Sequence, residues 1–361
     1  MKIVHYTECF SAGTLSSLST LSKAQIKDNY SVEIVYCNGD FTPEMNELKK
    51  LFCGVTLSPL GEKSIYSLFR MTKHFLSTVN KNSSNIIHVH SSWAGFVIRS
   101  ANIFTRHRVL FFTPHCFSHL RQDISKLIRV LFQITETILA RFSSSILLAC
   151  SKSEYMEGKN LGYISVVLGG NFIDDPTLYV KIATDKLNKN HLSVAAVGRI
   201  TAAKNPDRFI RVSRNCGPDI KFSWIGGGDV EKTIGLQANG ISVTGWLNPQ
   251  EAIERVSELD CLLITSDWEA LPMVAIEAMS FSIPIISWNY SGAQDIIEDG
   301  VNGYICNTES EIATQIEIIS KNLELREELG LSAREMFINK FDSRVLDRKW
   351  KDWYGLRISV D

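Results

Sequence analysis

Two carboxylates eight positions apart, Glu269 and Glu277, sit in the string Ser266-Asp-Trp-Glu-Ala-Leu-Pro-Met-Val-Ala-Ile-Glu-Ala-Met279. The string follows a wholly apolar run, Cys261–Thr265, of the kind that forms a strand buried on both faces. Pro272 suits the first helical position, where a missing N–H costs nothing, so a helix is predicted over 273–280. Its first amides, at Met273 and Val274, lie at the positive end of that helix and suit a phosphate or diphosphate. Carboxylates accept hydrogen bonds from hydroxyls, so Glu269 and Glu277 suit a ribose or a hexose. A helix carrying two solvated Glu would show the same pair. The complete string, after a buried strand and with Pro at the helix start, favours the ligand.

A second loop, Val197-Gly-Arg-Ile-Thr-Ala-Ala-Lys-Asn-Pro206, places Arg199 and Lys204 at another strand-to-helix mouth. A planar fork and a point charge both suit a diphosphate leaving group, whereas a solvated basic loop is the bland alternative. Gly226-Gly-Gly-Asp229 after Trp224-Ile225 either lets a ligand approach the backbone or makes a tight turn. Thr113-Pro-His115 ends an apolar run. A His there is often a satisfied core residue, but the carboxyl end of a strand favours a ligand-facing role. His88-x-His90 would send both rings to one face of a strand without an obvious third ligand, so no metal site is expected.

These loops need elements to hold them. Apolar runs at Lys2–Tyr6, Val32–Cys37, Asn85–His90, Val109–Thr113, Ile146–Cys150 and Ser165–Leu168 alternate with helix-like stretches. A polar stretch reaching about Asn190 reads as a linker. The alternation then restarts at Leu192–Val197, Ile220–Ile225, Ile241–Thr244, Cys261–Thr265 and Pro284–Ser287, and from Glu309 the pattern is mostly helical. Two βα series imply two doubly wound parallel sheets, with ligands beyond the carboxyl ends of the strands. The expected organisation is a Rossmann-like domain over 1–170, a linker over 171–190, a second Rossmann-like domain over 191–340 and a closing helix over 341–361, with the two domains facing a central cleft.

Composition bounds the function. The chain has 361 residues, 45% of them hydrophobic and 21% charged, as in a soluble globular protein. Its formal net charge of −1 argues against an electrostatic grip on nucleic acid. No apolar run approaches the ~18–20 residues that span a bilayer, and the first eight residues already contain His5 and Glu8, unlike a signal peptide. The eight Cys show no CxxC pair, which fits free thiols in a reducing cytoplasm. Within Phe117–Phe142, Leu120, Ile124, Leu127, Ile128, Leu131, Ile134 and Ile138 fall at helical spacing, opposite Arg121, Lys126, Arg129 and Arg141. An ordinary helix packed on the sheet with its polar face in water is the expectation, and peripheral contact with the inner face of a membrane is the alternative.

Together these strings resemble the retaining glycosyltransferases of the GT-B fold often called family 4, including bacterial members that build surface polysaccharides. Gly198-Arg199…Lys204-x-Pro206 resembles their phosphate loop, Glu269-Ala-Leu-Pro-x4-Glu277 their E-x7-E element, and Ser291–Gly303 the segment that follows. Ser11-Ala-Gly13, His88–Gly95 and Thr113-Pro-His115 match pieces of the first domain. The resemblance implies a nucleotide-sugar donor, with UDP the first choice of base and GDP the second, and a hydroxyl acceptor on a glycan or lipid-linked oligosaccharide. It implies no metal and no separate cofactor. Arg199 and Lys204 would hold the diphosphate, Glu277 the ribose and Glu269 the donor sugar. Ala270, Leu271, Pro272, Met273 and Val274 would line sugar and phosphate. Gly227, Gly245 and Trp246 would border the nucleotide, Gly13 would admit the diphosphate, and His115 would approach the sugar or the reacting centre. Ala270 replaces a common Gly, and Gly169-Gly-Asn171 replaces the usual Asn-Gly. A nucleotide-sugar epimerase and a non-catalytic sugar-nucleotide-binding partner are the alternatives that the same residues leave open.

Overall fold

The computed structural model describes residues 1–180 and 191–355. The chain forms two compact units, Met1–Phe172 together with the chain from Ser343, and Ile173–Asp342. Each is a parallel α/β sheet, as the alternating runs imply.

In the first unit the order is β1 (Lys2–Thr7), α1 (Ala12–Lys27), β2 (Ser31–Asn38), α2 (Met45–Leu51), β3 (Thr56–Glu62), α3 (Ile65–Lys81), β4 (Ile86–His90), α4 (Ser92–Thr105), β5 (Leu110–Thr113), α5 (Lys126–Phe142), β6 (Ile146–Ala149), α6 (Lys152–Asn160) and β7 (Val166–Leu168). The sheet order is β3-β2-β1-β4-β5-β6-β7, so the winding reverses between β1 and β4. In the second unit, β8 (Leu192–Val197), α7 (Pro206–Arg214), β9 (Ile220–Ile225), α8 (Val230–Ala238), β10 (Ser242–Val243), α9 (Pro249–Ser257), β11 (Cys261–Ile264), α10 (Met273–Ser280), β12 (Ile285–Trp288), α11 (Ala293–Ile296) and β13 (Gly303–Cys306) are followed by α12 (Glu309–Lys321) and α13 (Leu323–Lys340). That sheet runs β10-β9-β8-β11-β12-β13 and reverses between β8 and β11. Ligands of open α/β sheets bind at such reversals.

The last helix, α14 (Ser343–Trp353), belongs to the first unit. Its Trp350 and Trp353 pack with Ile3, Ile86 and Phe111 on one face of the sheet. The other face buries Val4, Val89, Phe112 and Leu147 beneath α3 and α4. Of the segment expected as a linker, Ile173–Val180 packs with the second unit. The Ile173 amide donates to Phe341 O, and Arg334 forms an ion pair with Asp175 at 2.5 Å. Residues 181–190 lie outside the described residues.

Strands β3 and β13 were not anticipated. Thr-Leu-Ser-Pro-Leu-Gly-Glu carries a Pro and a Gly, and its edge position explains why both are tolerated. Gly303-Tyr-Ile-Cys306 opens on a Gly where a Cβ would stand only 2.0 Å from Ile285 O. The run Ile241–Thr244 yields only a two-residue strand, Ser242–Val243.

The largest departure is α5. Arg129, Phe132, Glu136, Leu139 and Ala140 face the protein, while Leu127 (71% exposed), Leu131 (53%), Ile134 (51%) and Ile138 (48%) face outward. The expected packing, apolar face inward, is reversed. The cause is Arg99 on α4, which is fully buried. Its guanidinium forks both oxygens of Glu136 at 2.6 and 2.7 Å and lies 3.8 Å from the centre of the Phe112 ring. Tyr163 OH joins the same carboxylate. A buried charge of this kind must be paired, so Glu136 turns inward, while Lys126 and Arg141 stay exposed.

Candidate functional sites

In the second unit the loops after β8 and β11, neighbours at the reversal, are bolted together. Thr265 Oγ1 donates to Lys204 O at 2.7 Å, and the Asp267 amide donates to Ala203 O at 2.9 Å. Asn205, in the left-handed region at φ 48°, caps α7 through its side chain and also donates to Asp267 Oδ2 at 3.0 Å. Arg208 completes the clamp. It donates to Thr265 O and Asp267 Oδ1, both at 2.7 Å, and its Cζ lies 3.7 Å from the centre of the Trp288 ring. Pairing by Arg208, Asn205 and Asp267 escaped the sequence reading, because Asp267 sits 59 positions beyond Arg208.

That clamp presents a charged cluster. Lys204 Nζ meets Glu269 Oε1 at 2.5 Å, and the same oxygen accepts from Ser266 Oγ at 2.9 Å. Gly198, at φ +119°, lets the Lys204 stem lie across it, with Lys204 Cε 3.3 Å from where a Cβ would stand. Glu277 lies half-buried in the second turn of α10. Burial pushes its carboxyl up to about 7, with the Lys204 charge pulling in the opposite direction. The helix begins at Met273, so Pro272 is its N-cap rather than its first helical residue, at φ −68° and ψ 125°. The amides of Met273 and Val274 therefore open the first turn, as expected. Ala270 and Leu271 lie in the loop between, and Arg199 is exposed beside Gly198.

The triple glycine has a different use from the one that spacing suggests. A Cβ on Gly226 would stand 2.3 Å from Gly198 O, and one on Gly228 would stand 2.4 Å from Ile200 O. Both glycines let this loop lie against the Arg199 loop, to which Gly227 O is tied by the Ile200 amide at 2.9 Å. Space beside Gly227 is filled by the Trp246 indole, whose Nε1 lies 2.8 Å from a Cβ position. Gly245, at φ +73°, precedes that half-exposed Trp246. These three residues thus form one surface next to Gly198.

In the first unit the pleat of adjacent strands places His5 of β1, His88 and His90 of β4 and Thr113 of β5 on the same face, with His5 in register with His88 and His90 with Thr113. Spacing within one strand could not reveal His5 as the third ring. His5, His88 and His90 come within 4.8 Å of one another, close enough to be weighed as a metal cluster. All six ring nitrogens, however, already hold hydrogen-bond partners: Gln25 and His90 for His5, Tyr354 and Thr113 for His88, His5 and His115 for His90.

His115 follows β5 in the left-handed region at φ 54°, a conformation that costs a non-glycine residue on the order of 1 kcal/mol or more and often marks a functional site. Burial lowers His115 and His5 to about 4, and lowers His88 and His90 well below the ordinary value, so all four rings are neutral near pH 7. The adjoining turn is fixed by Glu154, whose oxygens accept from the Cys116 and Cys150 amides at 3.0 and 2.8 Å. Glu8, buried after β1, does the same for the Trp93 and Ala94 amides at the start of α4. Gly13 stands in the first turn of α1, at the carboxyl end of β1.

Residues 181–336, almost all of the second unit and both of its charged loops, match the family Glycosyl transferases group 1. Over 356 residues the chain is 27% identical to an uncharacterized 41.2 kDa protein in the cps region of Klebsiella pneumoniae, covering 94% of this chain and 96% of that one. It is 23% identical over 267 residues to the UDP-Gal:alpha-D-GlcNAc-diphosphoundecaprenol alpha-1,3-galactosyltransferase of Escherichia coli, covering 67% and 66% of the two chains. The fold is that of GT-B glycosyltransferases. The crystal structure of Anabaena HepE in complex with UDP and glucose superposes with a TM-score of 0.79 over 98% of both chains, at 17% identity.

Proposed function

We propose that this chain moves a sugar from a nucleotide-diphosphate sugar, with UDP as the carrier, to a hydroxyl of a lipid-linked glycan on the way to a surface polysaccharide. The anomeric configuration is retained. The observation that carries this reading is the Lys204–Glu269 ion pair between the loops that lead into α7 and α10, with Glu277 in the second turn of α10 close enough to feel the Lys204 charge. The E. coli relative is named for a UDP-sugar donor and a diphosphoundecaprenol-linked acceptor, which favours the same chemistry here.

Charge decides the roles. Cleaving the donor bond leaves positive charge on the sugar and a third negative charge on the diphosphate, the second on its outer phosphate. Arg199, Lys204 and the α10 amides meet that anion. In the resting chain Lys204 is neutralised by Glu269. A diphosphate takes Lys204 from it, and the released Glu269 carboxylate turns to the sugar hydroxyls. Glu277 accepts from the ribose hydroxyls, and the surface made by Gly227, Gly245 and Trp246 borders the base. The leaving phosphate itself takes the acceptor proton, a front-side path that needs no carboxylate nucleophile and no metal. Within the first unit, Gly13 is read as a point of close backbone approach and His115 as a group that meets a sugar hydroxyl.

The outward apolar face of α5 is read as a seat on an anionic membrane surface. Its Leu127, Leu131, Ile134 and Ile138 are flanked by the exposed Lys126 and Arg141. A basic amphipathic helix with that division lies in the interface plane. No helix among the described residues is long and apolar enough to cross a membrane. The chain would work at the cytoplasmic face.

The test is a transfer assay with UDP-, GDP- and ADP-sugars and a monosaccharide linked through diphosphate to a polyprenol, in vesicles containing anionic lipid. Proton couplings report the new linkage. Transfer from a UDP-sugar with unchanged configuration is expected, and Leu131→Ser with Ile134→Ser should release the chain from vesicles without abolishing donor binding. Epimerised sugar released without acceptor, or donor binding without any turnover, would replace the reading by one of its alternatives.

A further inference from the structure

His115 stands at one end of a chain of hydrogen bonds whose other end is a backbone carbonyl, and the direction of every link follows from that carbonyl. Leu148 O can only accept, so Thr113 Oγ1 spends its single proton there, at 2.7 Å. Thr113 must then accept from His88 Nε2–H, at 2.9 Å. A neutral ring protonated at Nε2 carries its lone pair on Nδ1, which accepts from Tyr354 OH at 2.6 Å. Tyr354 oxygen in turn accepts from Gln25 Nε2, at 3.5 Å the longest link. That orients the amide so that Gln25 Oε1 faces His5 and accepts from its Nε2–H at 2.9 Å. His5 Nδ1 therefore accepts from His90 Nε2–H at 3.0 Å, and His90 Nδ1 accepts from His115 Nε2–H at 3.1 Å.

We infer that this relay fixes His115 as the Nε2–H tautomer and leaves Nδ1 as its basic, hydrogen-bond-accepting nitrogen. Gln25, Thr113 and Tyr354 are thus positioning residues for His115, together with His5, His88 and His90. The relay draws on α1, three adjacent strands and the residue after α14, so the end of the chain helps to set which nitrogen of His115 meets a hydroxyl. Its dependence on neutral rings is met by the burial of all four. Its consequence for turnover rests on the reading of His115 as a group that meets the donor sugar or the reacting hydroxyl. The tautomer itself does not.

The relay makes an unusual demand on a distant substitution. Thr113→Val keeps the shape and removes the acceptor of His88 Nε2–H. A buried N–H without a partner costs more than a buried lone pair without one, so His88 moves its proton to Nδ1 and donates to Tyr354. Tyr354 then donates to Gln25 Oε1, the amide turns over, and each following ring shifts its proton, ending with His115 protonated at Nδ1. Thr113→Ser restores the hydroxyl and the original direction.

Long-range 1H–15N correlation of the histidine rings in the full chain reads this directly. In the unaltered chain His115 should be protonated at Nε2 alone, a result that needs no variant to fold. Thr113→Val should move that proton to Nδ1, Thr113→Ser should not, and Tyr354→Phe, which cuts the chain, should leave both tautomers populated. His115 protonated at Nδ1 in the unaltered chain, or at Nε2 alone in both Thr113→Val and Tyr354→Phe, overturns the relay. In the transfer assay Thr113→Val should lower kcat on the order of 100-fold with the donor KM little changed. A reversed tautomer with unchanged kcat would uphold the relay and overturn the role of His115 in transfer.

Discussion

The two units share a winding and place their candidate groups at the same point of it, yet they solve opposite electrostatic problems. At the β8/β11 reversal the groups are charged. Lys204 and Glu269 neutralise one another at 2.5 Å, and the loops that carry them are braced by Arg208 and Asp267. At the β1/β4 reversal the groups are four rings held neutral by burial, joined into one line of hydrogen bonds. A charged cluster can answer a diphosphate by exchanging partners. A neutral relay has no charge to exchange, and what it supplies is a defined proton position. The two sites therefore differ in kind, one built on an ion pair and the other on fixed protons.

The sharpest way to break this comparison is to remove the charge from one side. Lys204→Ala should lower turnover on the order of 100- to 1,000-fold, the loss expected when one preorganised group facing developing negative charge is deleted. The fold should survive, because the Lys204 side chain is partly exposed and the clamp around it uses its backbone carbonyl. Near-normal turnover, with the circular dichroism unchanged, would remove Lys204 from the role given to it.

A smaller effect separates the units by pH. The lowered histidines of the first unit bind fewer protons folded than unfolded, so their contribution to stability is present above about 6.5 and is lost as pH falls from 6.5 toward 4. Glu277 is the reverse case. Its carboxyl rises from an ordinary 4.5 to about 7 in the fold, so the folded second unit binds more protons in that window and loses stability as pH rises through it. Between pH 6.5 and 5, hydrogen-exchange protection, corrected for intrinsic rates, should fall along β4 and rise along α10. Glu277→Gln should flatten the second response only. Parallel changes in both regions would mean that the two sites are not electrostatic opposites.

How much of this could be read from the sequence divides along the same line. The charged loops were legible because their groups are close in the chain and each follows an apolar strand. Lys204 lies five residues past Arg199, and Glu277 eight past Glu269. The parallel α/β fold was legible for the same reason, since strand runs such as Cys261–Thr265 declare themselves. The neutral relay was not legible. Its members come from residues 5, 25, 88, 90, 113, 115 and 354, which meet only because the pleat and register of three strands align the rings and α1 and the residue after α14 lie against the same face. His115 could be singled out by its place after a strand, but not the network that sets its proton. The reversal of α5 was hidden too, because hydrophobic spacing shows that a helix has two faces and not which one meets the sheet. The buried Arg99, 37 positions from Glu136, decided that. The Gly226 and Gly228 positions taught a related lesson. Gly-rich loops allow close approach, and here the approaching group is the neighbouring backbone.

A calorimetric melting titration probes the diphosphate site proposed at Lys204 in the second unit. UDP, GDP and ADP, alone and as sugar conjugates, would be added to the full chain and to Lys204→Ala. A ligand present at about 100 times its Kd stabilises the folded state by about 2.7 kcal/mol, a shift that such melting curves resolve. UDP and its sugars should raise the Tm of the unaltered chain well beyond GDP or ADP, and Lys204→Ala should abolish most of the rise. An unchanged Tm with every nucleotide, or an equal rise in Lys204→Ala, would contradict that site.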